Sequence, residues 1–157
     1  MDKYEKYHGA ALLRLIHKGI ESIKLITGKN GYLINSTTYV YMKFSEKTTS
    51  PWRFTFMPQH IKELSEIRKT IPEMFIVLIC GEDGICCLSY QELSRLIHIG
   101  IDDKNKVVTM HRRERNKYSV SGTDGTLNYK IGNTDFPKKI FDKPKIKSSE
   151  PGYSNMS

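Results

Sequence analysis

Lys43 sits near the end of an alternating run, Tyr39 to Ser45. Val40, Met42 and Phe44 fall on one face of this run, and Tyr39, Tyr41, Lys43 and Ser45 on the other. A lone cation on such a ribbon could steady an attacking water or the negative charge that develops during phosphodiester chemistry. Lys47, Trp52 and Arg53 follow within ten residues. Cations interleaved with rings suit nucleic acid, because cations meet phosphates while rings stack on unpaired bases. Alternation over Trp52–Phe56 assigns Trp52, Phe54 and Phe56 to the core and leaves Arg53 and Thr55 exposed. A second basic cluster, Arg112, Arg113, Arg115 and Lys117, fits either a phosphate-binding loop or a solvated charged one. The candidate nucleic-acid contacts are therefore Lys43, Ser45, Lys47, Arg53, Arg112, Arg113, Arg115 and Lys117. His8 and His60 could both face the Lys43 ribbon from flanking helices, which makes a histidine general base available there.

These residues need elements to position them. Ala11, Leu12, Leu15, Ile16, Ile20, Ile23 and Leu25 recur at mostly helical spacing, predicting a helix within residues 4–26 that Gly19 could divide. A turn cluster at 28–31 leads into strands at 31–35 and 39–45, then the aromatic strand at 51–56. Pro58 opens a helix expected to run to Thr70. Met74–Ile79 is an unbroken apolar run, the pattern of a strand covered on both faces, and a turn at 81–84 leads to a strand at 85–89. Ser89 and Glu92 form a capping box for a helix at 90–99. Strands are expected at 106–110, 117–121 and 127–131, the last two joined by a hairpin turn at 123–126. Residues 1–141 read as one α/β domain and 142–157 as a basic disordered tail; Lys138, Lys139, Lys143, Lys145 and Lys147 together could add non-specific binding.

The totals narrow the class. Lys and Arg number 25 against 17 acids, a net charge of +8, which favours polyanionic partners through counterion release. Cys80, Cys86 and Cys87 lie on predicted apolar strands without the CxxC spacing of a zinc site. Cys86 and Cys87 point to opposite faces of their strand, so the three read as buried reduced thiols, as expected of a cytoplasmic protein. No signal-peptide core and no apolar run of membrane-spanning length is present in the sequence, and no membrane partner is expected. Phosphate-loop, dinucleotide-binding and serine-hydrolase motifs are absent from it as well.

The order strand, strand ending in Lys43, helix, apolar strand resembles the PD-(D/E)XK nuclease superfamily, in layout especially the archaeal Holliday-junction resolvases. The resemblance covers about residues 1–99. It implies a restriction-endonuclease-like fold: a mixed central sheet flanked by helices, here with a C-terminal β-hairpin extension. It also implies site residues, with Lys43 as the lysine, Glu5 as the acid of the first helix and Asn35 near the acid of the preceding strand. His60 or Gln59 would be the polar residue of the following helix. The acid two residues before the lysine falls on Tyr41, a poor metal ligand, and Glu46 would lie on the opposite face of the strand. The catalytic candidates are thus Lys43, Glu5, Asn35 and His60, with Mg²⁺ or Mn²⁺ as the cofactor of an active enzyme and the metal ligands unassigned. The leading reading is a nucleic-acid-binding protein with a nuclease-like fold and an incomplete metal site, with DNA ahead of RNA as partner. A protein-binding module or inhibitor acting on a nucleic-acid enzyme is the alternative, and an active metal-dependent nuclease a second one. A homodimer is also among the expected assemblies.

Overall fold

The ribbon bearing Lys43 becomes the middle of a five-stranded sheet in the computed structural model, which describes residues 1–28, 30–100, 102–112 and 117–142. In chain order the first elements are α1 (Lys3–Lys18), β1 (Ile23–Thr27), β2 (Gly31–Ile34), β3 (Thr38–Ser45), β4 (Trp52–Phe56) and α2 (Pro58–Thr70). The rest are β5 (Glu73–Cys80), β6 (Gly84–Ser89), α3 (Tyr90–Leu96), β7 (Lys106–His111), β8 (Lys117–Gly122), β9 (Ile131–Gly132) and α4 (Asp135–Phe141). One sheet has the order β1-β2-β3-β5-β6, and a second has the order β4-β7-β8-β9. Strands β3 and β5 are parallel, with Lys43 beside Leu78; every other pairing in the first sheet is antiparallel. This is a mixed α/β architecture. The parallel pair needs a long crossover, and the chain uses it to place both β4 and α2.

Period-2 alternation divides the core. Tyr39 and Tyr41 of β3 pack with Trp52, Phe54 and Phe56 of β4, Leu64 of α2 and Met110 of β7. Val40 and Met42, on the other face, pack with Ala11 and Leu15 of α1 and Ile140 of α4. Strand β5 lies between these two cores, Ile76 and Leu78 facing one and Val77 and Ile79 the other, which explains its continuous apolar run. Cys86 and Cys87 likewise divide between the two cores, and all three cysteines are free and buried.

Five elements differ from the expectations. Helix α1 stops at Lys18, where Gly19 adopts a left-handed conformation at φ 93° and its N–H donates to the Ile16 carbonyl. Ile23–Thr27 then forms an edge strand against β2, because its residues alternate as well as they follow a helical period. Helix α3 ends at Leu96, short of Ile99. In place of a strand over 127–131 there is a single bridge, Ser121 to Thr126, and the two-residue β9. Helix α4, which had no clear periodic signal, packs along β6. The hairpin expected between 117–121 and 127–131 is reduced to the Ser121–Thr126 bridge; β8 pairs instead with β7, and the pairing of β7 with β4 makes both part of a second sheet. The tail from 143 onward lies outside the described residues. Among those described, no helix is long and apolar enough to cross a membrane.

Candidate functional site

Lys43 sits against aromatic rings and, among the described residues, forms no ion pair with an acid. Its ammonium lies 5.2 Å from the Phe56 ring centre and 5.8 Å from that of Tyr41. Burial lowers its pKa, and no carboxylate offsets that effect. The two rings favour the charged form, so burial and cation–π attraction oppose each other at this amine.

Strand β4 brings a second cation to the same place. Its even positions are buried, which turns Arg53 and Thr55 outward. Lys43, Arg53, Thr55, Asn30, Tyr4 and Phe54 line a recess of about 230 Å³. No lining residue is acidic. Asn30 belongs to the turn between β1 and β2, where its carbonyl accepts from the Met42 N–H at 2.8 Å. Behind this recess lies Tyr41, 2% exposed, its phenol pushed up to about 12 by burial. Its hydroxyl has no hydrogen-bond partner of good geometry, although the Asn30 side chain lies close enough to favour the ionised form slightly. At neutral pH it is an uncharged donor in the position where the resemblance placed an acid.

His60, in the first turn of α2, reaches the neighbourhood of Lys43. Its Nδ1 accepts from the Met57 N–H at 3.3 Å. Burial lowers its pKa first and the Lys43 charge lowers it further, while Glu63 acts in the opposite direction. This juxtaposition has a measurable consequence. Followed by NMR against pH, the His60 ring is expected to titrate below an ordinary histidine and to move up in Lys43→Met. A titration midpoint unaffected by that substitution would show that the two side chains do not share a field.

The other expected members lie elsewhere. Glu5 is exposed and completes a capping box with Asp2, accepting from the Asp2 N–H at 3.0 Å. Asn35 occupies a left-handed turn position at φ 51°, and its Oδ1 accepts from the N–H groups of Glu21 and Ser22 at 2.7 and 3.2 Å. That turn adjoins Thr38, at the opposite end of β3 from Lys43 and roughly 17 Å away at strand spacing. His8 is on the α1 face of the sheet, 3% exposed, its Nδ1 2.8 Å from the Tyr32 hydroxyl oxygen. Glu46 forms an exposed ion pair with Lys3. Glu5 and Asn35 therefore do not converge on Lys43, and these residues do not fit a Mg²⁺ or Mn²⁺ ligand set. Among the described residues, no three His, Cys, Asp or Glu side chains come together in a way that could hold a metal ion.

The proposed phosphate contacts also separate. Ser45 caps the following turn, its Oγ accepting from the Lys47 N–H at 3.3 Å. Lys47 is exposed but bonded to the Pro51 carbonyl at 2.9 Å, and its own carbonyl takes the Trp52 indole N–H at 2.8 Å. This loop presses on Gly81, at φ +56°, where a Cβ would collide with the Lys47 carbonyl. Arg112 is tied into the structure by an ion pair with Asp83, which also accepts from the Tyr118 hydroxyl at 2.8 Å. It is thereby neutralised rather than offered to solvent. Lys117 is exposed at the start of β8, and Arg113 and Arg115 lie outside the described residues. Two further cations are committed to ion pairs. Lys106 is held by Asp102 and Asp124, and Lys139 by Glu92. The recess thus unites Lys43 and Arg53 from the expected set, with His60 nearby. Thr55 could have been found from its alternation with Arg53, whereas Asn30 and Tyr4 carry no local signal.

No family model and no curated protein sequence matches the chain. Among solved structures the chain is similar to the Archaeoglobus fulgidus Holliday junction resolvase Hjc, with a TM-score of 0.45 and 14% sequence identity over 68% of this chain and 83% of that one. At that level the likeness speaks neither for nor against any activity.

Proposed function

We propose that this chain binds nucleic acid, DNA ahead of RNA, through the Lys43–Arg53 recess, on a nuclease-like fold whose metal site is incomplete. The observation that carries this reading is the convergence of two cations from different sheets on a recess without a lining carboxylate. Such a site attracts anions and repels metal ions. The Thr55 hydroxyl and Asn30 amide line the recess as neutral polar groups, and the net charge of +8 supplies long-range attraction to a polyanion. A cytoplasmic setting is part of the reading, supported by three buried free cysteines. No step through Mg²⁺ or Mn²⁺ belongs to it.

The test is the salt dependence of binding to a labelled DNA. The logarithm of affinity should fall linearly with the logarithm of salt, with a slope of about −0.9 per neutralised phosphate on a duplex or about −0.7 on a single strand. Absence of binding to DNA and RNA at about 50 mM salt would remove the reading. It would favour the second one, attachment to another protein. That reading draws on Leu13 and Ile16 of α1 and Leu25 of β1, which are exposed apolar side chains.

A further inference from the structure

We propose that the Lys43–Arg53 recess takes one unpaired nucleotide, its phosphate on the two cations and its base on the Tyr4 ring, so that the preferred ligand is a single strand rather than a duplex. This rests on the nucleic-acid reading above and specifies its substrate class. Three observations carry it. The first is size and shape. At about 230 Å³ the recess is below the ~300–1,000 Å³ of pockets for drug-sized ligands. It is nevertheless a concavity, whereas a duplex offers its phosphates on a convex surface with the bases stacked away inside. Filling the recess needs a nucleotide already out of the stack.

The second observation is the ring at its rim. Tyr4 is 37% exposed while lining the recess. Its plane is set by edge contacts with His8 and Phe44, each at 5.3 Å between ring centres. An oriented, partly exposed ring beside two cations is the combination that single-strand binders use, with stacking for the base and charge for the phosphate. The third is the set of neutral polar groups. The Asn30 amide and Thr55 hydroxyl line the recess, beside the two cations and without a carboxylate among them.

The experiment compares a labelled single-stranded deoxyoligonucleotide with a duplex of equal length at matched salt. It uses the full chain and its Tyr4→Ala and Tyr4→Trp variants. The single strand is expected to bind more tightly. Tyr4→Ala should weaken it about tenfold while sparing the duplex, and Tyr4→Trp should restore it. Equal, salt-dependent binding of both ligands, unchanged in Tyr4→Ala, would overturn the single-nucleotide proposal and leave phosphate binding standing. An equal loss on both ligands would also overturn it, since a damaged helix α1 would weaken both alike. Failure of the parent protein to bind either ligand would remove this proposal together with the reading beneath it.

Discussion

Lys43→Met combined with Arg53→Ala is expected to weaken DNA binding by at least about a hundredfold, roughly tenfold for each charge-assisted hydrogen bond to phosphate that is removed. Methionine keeps an apolar stem over the Phe56 and Tyr41 rings, so the change removes the charge with little loss of packing. Arg53 lies on the exposed face of β4, where truncation opens no cavity. Each single variant should flatten the salt slope by about one and the pair by about two. Lys69→Ala serves as the control. That residue is exposed and paired with Glu66 on α2, and a change in net charge alone should alter affinity little. A double variant that binds with the parent's slope and affinity would show that the recess is not the contact surface.

Glu92→Ala is expected to lower stability by about 3 kcal/mol, or roughly 10 °C in Tm for a chain of this size. Glu92 is 8% exposed and accepts three hydrogen bonds. These come from the Ser89 N–H at 2.9 Å, the Tyr129 hydroxyl at 2.7 Å and the Lys139 ammonium at 2.7 Å. It therefore caps α3, anchors the segment before β9 and fastens α4 to the first turn of α3. Alanine strands a partly buried ammonium, which the Cys87 carbonyl satisfies only in part. Glu92→Gln keeps an acceptor for the cap and should cost less. The same carboxylate predicts a pH response. Burial alone would raise its pKa, but the Lys139, Ser89 and Tyr129 hydrogen bonds outweigh that and the net shift is downward. A depressed folded-state pKa means that the stabilisation is complete above the unfolded value near 4.5 and is lost as pH falls through the folded value. Acid sensitivity in that range should be smaller in Glu92→Ala. Thermal melts within about two degrees of the parent would rule out this anchoring role.

Much of the local structure was legible in the sequence. The Trp52–Phe56 alternation assigned the ring residues to the core and Arg53 to the surface, as observed. Ser89 and Glu92 announced a capping box, and both reciprocal bonds form. Pro58 marked the start of α2, and the helix ends at Thr70 as expected. The errors occurred where a short segment satisfies two periods or none. Ile23–Thr27 suits either period, and its pairing with β2 decided the outcome. Leu127 is buried without belonging to a strand, so its apolar character was genuine but its regular pairing was not.

Periods, caps and helix boundaries depend on residues within a few positions of each other, and the sequence by itself determined those, along with the lone cation on an apolar ribbon. Which side chains share a recess depends on contacts between elements distant along the chain. The crossover from β3 to β5 carries β4 into a second sheet and sets Arg53 beside Lys43, and the β1–β2 turn supplies Asn30. The same folding leaves Asn35 at the far end of the strand and turns Glu5 into its own helix cap. Spacing along a chain cannot encode those distances, because burial of two separate cores, rather than any local preference, decides which ends of the strands meet.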